Sequence, residues 1–208
     1  MFSAFIAELN AIATSDEWGT GFVDYLKKGT NNLASHFRTM YDEDRKYDGA
    51  DQPVVGVTWY AARAYCLWLS LLEGEKTLYR LPDEMQWEWA AGGRQGTTVQ
   101  KVRPYPWSEE KGEPSATLAN YNNNIGATTP VGNYPDGSTH EGLYDMAGNV
   151  WEWMENWYDK KHEWPAWRGG DYTDKADALR CSSRSYLNPG KGLYLVGFRV
   201  IRSSLFSS

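Results

Sequence analysis

The sequence predicts an irregular, loop-rich α+β domain in which two helices and a set of short strands share one core. Three observations predict it. Residues 58–72 and 83–93 carry helix signals with defined starts and stops; glycines and prolines interrupt the remaining apolar runs; and 11 tryptophans and 14 tyrosines in 208 residues make the apolar content unusually aromatic. Large rings carry N–H and O–H groups that need partners once buried, so such a core depends on side-chain hydrogen bonds as well as packing. A chain of this length suits a single domain with a substantial core.

Taken in order, residues 2–13 and 16–28 read as short helices. Ser15 is placed to cap the second, with Trp18, Phe22, Tyr25 and Leu26 on one face and Gly29 as its stop. Residues 30–52 read as a long loop with one helical turn near 36–41. VVGV at 54–57 reads as a short apolar strand. Thr58 then caps a helix through Leu72 that is apolar nearly all round, with Arg63 and Ser70 on its one polar edge, so it is expected to be core. LYRL at 78–81 leads to Pro82 and a second helix, where Asp83 and Gln86 have capping-box spacing and Gly92 and Gly93 provide the stop. Residues 94–118 form a polar insertion around Tyr105, Pro106 and Trp107. Residues 167–208 read as short strands and loops pinned by Gly169, Gly170, Pro189 and Gly197.

Composition excludes several classes. The formal charge of −6 and the lack of a basic stripe argue against a nucleic-acid surface. MFSAFIAEL has no basic leader, is interrupted by Glu8 and is too short to span a bilayer, so neither a signal peptide nor a membrane span is expected, and a cytoplasmic location follows for the chain as encoded. His36, His140 and His162 are scattered and form no metal spacing with Cys66 and Cys181.

Residues 140–153, HEGLYDMAGNVWEW, concentrate glycine, asparagine, carboxylate and tryptophan. The stretch is either a tight turn into an aromatic strand or a loop that wraps a hard cation such as calcium, with Asp145, Glu152 and the carbonyls of Gly148 and Val150 as ligands. NYNNNI at 120–125 is likewise a flexible turn or a second cation loop. GLYDMAGNVWEW, together with PVVGVTWYAARAYCLWL at 53–69, YRLPDEMQWEWAAGG at 79–93, TTPVG at 128–132 and RGG…LRCSSRS…GFRV at 168–200, resembles the formylglycine-generating-enzyme family. The motifs run in order from about 53 to 202, while residues 1–52 match poorly. The resemblance implies a C-type lectin-like fold, with the two helices against short antiparallel strands. It also implies calcium ligands at Asn120, the Tyr121 carbonyl, Asn123 and the Ile125 carbonyl. That second site, lacking a carboxylate, is expected to be weaker than the one at 145–152. In relatives with disulfides the position of Cys66 pairs with that of Val200, and the position of Cys181 with that of Ala91. Both partners are missing here, so two buried thiols in a reducing compartment are expected.

The family's founding activity, cysteine oxidation, uses a pair of cysteines a few residues beyond the RGG-type motif. Here that window holds Asp171, Thr173, Asp174, Lys175 and Asp177 and no sulfur, and carboxylates do not replace thiolates for a soft metal. Ser182 and Ser183 lack a nucleophile elbow and a nearby histidine. Asp171, Asp174 and Asp177 are either a carboxylate cluster for acid–base work or a solvated loop. Catalytic iron in the family takes ligands from an additional domain. The sequence therefore predicts a protein that is not an enzyme.

Around a fixed skeleton of Arg168, Gly169, Gly170, Leu179, Arg180, Arg184, Pro189, Gly197, Phe198 and Arg199, the C-terminal segment has positions of no consistent character. Tyr186, Leu187, Leu193, Tyr194 and Leu195 are either a satellite core or an exposed recognition patch. The layout resembles the variable proteins of diversity-generating retroelements, which randomise adenines, chiefly in Asn codons, within a C-terminal repeat. Such codons yield Asp, Thr, Ala, Ser, Tyr, Leu or Asn, and never Lys, Glu, Gln, Met or Trp. Asp171, Thr173, Asp174, Asp177, Ala178, Ser183, Ser185, Tyr186, Leu187, Leu193, Tyr194 and Leu195 obey that rule, whereas Lys175 and Lys191 do not. The resemblance implies one exposed ligand-binding face built from these twelve positions, for an unknown protein or cell-surface partner. A catalytic relative with unrecognised chemistry is the alternative.

Overall fold

A computed structural model of the chain describes residues 41, 44, 46–73, 77–93, 102–161 and 163–204. The helices expected at 2–13 and 16–28, with most of the 30–52 loop, lie outside the described residues. Helix α1 spans Trp59–Glu73 and helix α2 spans Glu84–Gly92. Both start where the sequence says. Thr58 Oγ1 accepts from the Ala61 N–H, and Asp83 and Gln86 complete a reciprocal capping box.

Strands β1 (Thr77–Arg80), β2 (Trp151–Trp157), β3 (Pro165–Arg168), β4 (Arg184–Tyr186), β5 (Val196–Gly197) and β6 (Ile201–Ser204) form two sheets. β1 and β6 make a two-stranded antiparallel ribbon, and the other sheet has the order β4-β3-β2-β5. β5 runs parallel to β2, pairing Trp151 with Val196 and Glu152 with Gly197, so the sheet is mixed where antiparallel strands were expected throughout. A chain that returns to the edge of a sheet by a long loop can place a two-residue strand in either direction.

VVGV at 54–57 is not a strand. Gly56 has φ of 73°, its N–H donates to the Leu193 carbonyl, and the Val57 carbonyl accepts from the Trp153 indole. The segment is thus bonded to a loop and a ring instead of to a ladder. The aromatic core behaves as its chemistry requires, because Trp59, Trp87, Trp107 and Trp153 each donate their indole N–H to an oxygen. Ala61, Ala62, Cys66 and Trp68 of α1 meet Trp151, Trp153 and Val196 of the sheet, while Trp87 and Ala91 of α2 meet Met146, Met154, Ala166 and Cys181. The opposite side of α1 is not core. Leu71 and Leu72 are 52% and 57% exposed, because the strands that α1 touches, chiefly β1, cover one face of it only.

Candidate functional site

Two buried carboxylates organise the C-terminal segment. Glu84, in the first turn of α2, accepts from Arg168 Nε at 2.8 Å, Arg184 Nε at 2.8 Å and Asn156 Nδ2 at 3.1 Å. Arg168 continues to Glu88 at 2.8 Å and donates to the Cys181 and Ser183 carbonyls. Burial alone would raise the Glu84 carboxyl, but the Arg184 hydrogen bond and the Arg168 charge overcome it and hold the group below the usual range. Glu152 on β2 accepts from the Arg199 guanidinium and from the Trp87 indole at 2.6 Å. The sequence marks Arg168, Arg184 and Arg199 as skeleton without revealing their partners. Glu84 went unread in the sequence, where its one signal is an acid in the first turn of a helix.

That pairing bears on the expected cation sites. The 145–152 loop is tight, since Asp145 and Asn149 have φ of 55° and 69°, and a Cβ on Gly148 would lie 2.3 Å from the Asn120 carbonyl. Yet Glu152 is held by a guanidinium, Asp145 Oδ2 accepts from the Gly132 N–H at 2.6 Å, and Arg199 also donates to the Tyr144 carbonyl at 3.1 Å. The positive charge there is already supplied by Arg199, so these residues do not fit calcium as they stand. The 120–125 loop fits better. Asn120 is fully buried, its Oδ1 has no hydrogen-bond partner among the described residues, and its Nδ2 donates to the Ala127 carbonyl, which aims the orphaned oxygen away from that bond. Asn123 has φ of 56°, and the Tyr121 carbonyl accepts from Asn124 N–H.

The acidic loop docks onto these two. Asn122 and Asn123 donate their N–H groups to the Asp174 and Tyr172 carbonyls at 2.7 and 2.6 Å, and Tyr172 N–H donates to the Asn149 carbonyl. Asp171 is buried, which corrects its expected place on an exposed rim. Its Oδ1 accepts from the N–H and hydroxyl of Thr173 at 2.6 Å each, and its N–H donates to Asp174 Oδ2 at 3.0 Å. Burial, against the Thr173 bonds and with the Asp174 charge, pushes its carboxyl up to about 6. Thr173 and Asp177 are exposed, Asp174 and Ala178 half-buried.

The five large residues do not form one exposed face. Tyr186, 47% exposed on edge strand β4, packs against Tyr158 and Trp164 at ring separations of 4.6 and 6.0 Å. Ser183 and Ser185 lie beside it, half-buried. Tyr194, 36% exposed, precedes β5 at the opposite edge of the sheet and meets Tyr41 and Tyr47 at 5.7 and 5.9 Å. Leu187, Leu193 and Leu195 pack, half-buried, on the α1 core. The physical reason is the path of 187–195, which crosses between the two edges on the backbone of 56–59: Gly56 and Trp59 donate to the Leu193 and Pro189 carbonyls, and a Cβ on Gly192 would lie 1.8 Å from the Gly56 carbonyl. A chain held that close turns its leucines inward. The Tyr47 hydroxyl lies 3.0 Å from that of Tyr172, which links Tyr194 to the acidic loop. Tyr41 and Tyr47 went unread in the sequence; their signal is the pair of tyrosines six apart in YDEDRKY.

Cys66 and Cys181 are buried, unbridged thiols, each pushed by burial up to about 12. No group of three or more histidines, cysteines or acids able to hold a metal occurs among the described residues, and no helix among them is long and apolar enough to cross a membrane.

A family model described as the sulfatase-modifying factor enzyme 1-like domain matches residues 2–204, so the family's extent begins well before the motifs at 53. The serine/threonine-protein kinase Pkn1 of Chlamydia trachomatis is 37% identical over 171 residues, which is 74% of this chain and 24% of that protein. A hercynine oxygenase of Mycolicibacterium thermoresistibile is 30% identical over 72% of this chain and 36% of its own length, and the inactive C-alpha-formylglycine-generating enzyme 2 of Bos taurus is 33% identical over 71% and 49%. The chain thus spans a quarter to a half of the length of these relatives, two of which are named as catalysts and one as inactive. Treponema denticola variable protein 1 superposes with a TM-score of 0.63 over 82% of this chain and 79% of that one at 23% identity, a likeness of fold. With its C-type lectin-like fold of two helices against short, curled sheets, and a family match along nearly its whole length, the chain belongs to the formylglycine-generating-enzyme family.

Proposed function

We propose that the chain is a receptor-like, ligand-binding variable protein of the kind encoded with diversity-generating retroelements, and not an enzyme. The observation that carries the reading is the division within 168–199. Arg168, Cys181, Leu179, Val196 and Gly197 are buried and Arg199 is tied to Glu152, whereas most positions that obey the Asn-codon rule are exposed or half-buried between them. Side chains can change at such positions while the backbone is held from below. The window that would need two thiols contains none, and Asp171 is engaged within its own turn. The ligand surface is placed on Tyr194 with the 171–177 loop, and Tyr186 with Ser183 and Ser185 forms a second, separate patch.

Calcium belongs to the proposal as a structural ion at Asn120, Tyr121, Asn123 and Ile125. The 145–152 set of Asp145, Gly148, Val150 and Glu152 is the competing location, where the ion would have to displace Arg199. Binding linkage requires a chelator to lower the melting temperature, and Asn120→Ala to abolish that response. The encoding locus tests the main reading: a neighbouring reverse transcriptase and a repeat differing at adenines within codons 171–195 are expected. Their absence, with turnover of a cysteine-containing peptide by the purified chain, would return it to the enzymes.

A further inference from the structure

We infer that the surface around Tyr194 binds a cationic, arginine-bearing polypeptide segment; the inference rests on the ligand-binding reading above and names the class of its partner. Three tyrosines converge there from two distant parts of the chain. Tyr41 and Tyr47 cross at 77° with centroids 5.7 Å apart, and Tyr194 meets both, at 67° and 37°. Ring faces carry negative potential, which attracts a guanidinium more than apolar side chains alone would.

The charge around the triad has the complementary sign. Asp44 and Asp48 flank Tyr47 and are exposed, and the half-buried Asp174 and the exposed Asp177, with Arg180 3.7 Å from it, follow on the loop that Tyr172 joins to Tyr47. Lys175 is turned aside to the Asn122 carboxamide at 2.9 Å, and in sequence 41–48, 171–177 and 187–195 together hold seven acids against Arg45, Lys46, Lys175 and Lys191. The chain as a whole carries −6. Arginine is preferred over lysine because its planar fork can stack on a tyrosine while bonding a carboxylate bidentately. Tyr186, at the other edge of the sheet, borders Arg184, whose guanidinium lies 4.1 Å above the Tyr158 ring, so that patch carries a cation of its own and does not suit the same partner.

The test uses the full chain and synthetic octapeptides alternating serine with arginine, lysine or glutamate, titrated at physiological salt. The arginine peptide is expected to bind at least tenfold tighter than the lysine peptide, and the glutamate peptide not to bind. Tyr194→Ala should weaken arginine-peptide binding tenfold or more, whereas Tyr186→Ala should leave it unchanged. Tyr194→Lys, which keeps a long stem and reverses the local charge, should abolish it and covers the case in which the alanine variant is poorly folded. Equal binding of arginine and glutamate peptides, or arginine binding indifferent to both Tyr194 variants, overturns the inference. Selection from a random peptide library separates the two layers. Binders that depend on Tyr194 but lack basic residues sink the partner class and leave the receptor reading standing; no Tyr194-dependent binder of any kind removes both.

Discussion

Two parts of one C-terminal segment solve opposite problems. Arg168, Arg184 and Arg199 reach inward to Glu84 and Glu152, where each carboxylate is bonded by more than one donor. The loops 171–178 and 187–195 instead take their hold from main-chain bonds to Asn122, Asn123, Gly56 and Trp59, so most of their side chains are not needed for shape. The difference teaches where tolerance to substitution resides. A loop fixed by its backbone can change its side chains; a loop fixed by a buried ion pair cannot.

Breaking the first part should have the largest effect. Glu84→Ala removes the carboxylate shared by two guanidinium groups, one of them buried and left with Glu88 alone, and loss of one partner from a buried pair costs about 3–5 kcal/mol. In a domain of this size the melting temperature should fall by roughly 10 °C. Thr173→Ala, on the loop, should shift it by a few degrees at most. Equal effects would erase the distinction.

The thiols sharpen it next. Cys181, beside the Arg168 anchor, and Cys66, in α1, are pushed from the ordinary thiol range to about 12, and both are buried. Native labelling by a maleimide should be slower than in urea by roughly three orders of magnitude, since the thiolate is the reacting form. Fast native labelling of Cys181 would show that the anchored region opens.

Acid should act with opposite signs on the two parts. Glu84 is held low, so its stabilisation is present above the unfolded carboxylate range and is lost as pH falls through the folded value. Asp171 is raised to about 6, so the folded state keeps a proton that the unfolded chain releases, and this group's contribution improves as pH falls between about 6 and 4. Asp171→Asn should therefore gain stability over the parent at pH 8 and lose that advantage near pH 4. The reverse sign in a melting series would mean that the Thr173 bonds outweigh burial.

Much of the fold was legible because local rules set it. The capping box at Asp83, the cap at Thr58 and the stop at Gly92 and Gly93 are read from neighbours in sequence. The error at VVGV has the opposite cause, since its partners, Leu193 and Trp153, lie far along the chain. The same distance hid the arginine acceptors: Glu152 meets Arg199 across 47 residues. The positions of the tyrosines were hidden for a related reason. The resemblance to variable proteins grouped Tyr186 with Tyr194, but a sheet of order β4-β3-β2-β5 sends them to opposite edges, and Tyr41 and Tyr47 arrive from a segment with no motif.

The smallest expected effect on stability is the one that decides the role of these rings. Tyr186 and Tyr194 pack against other partly exposed aromatics, not into the Trp151 and Trp153 core, so truncation removes ring contacts worth about 0.5–1.5 kcal/mol each without opening an enclosed cavity. Their contributions should also add, because two strands separate them and they share no neighbour. Tyr186→Ala with Tyr194→Ala should therefore lower the melting temperature by a few degrees, equal to the sum of the single variants, and leave the far-ultraviolet dichroism unchanged. Leu193→Ala supplies the contrast: it lies half-buried on the α1 core, its carbonyl holds Gly56, and it should cost more than either tyrosine. A double tyrosine variant less stable than Leu193→Ala would place the rings in the structural frame. A sum that fails to add would mean the two patches are joined into one face after all.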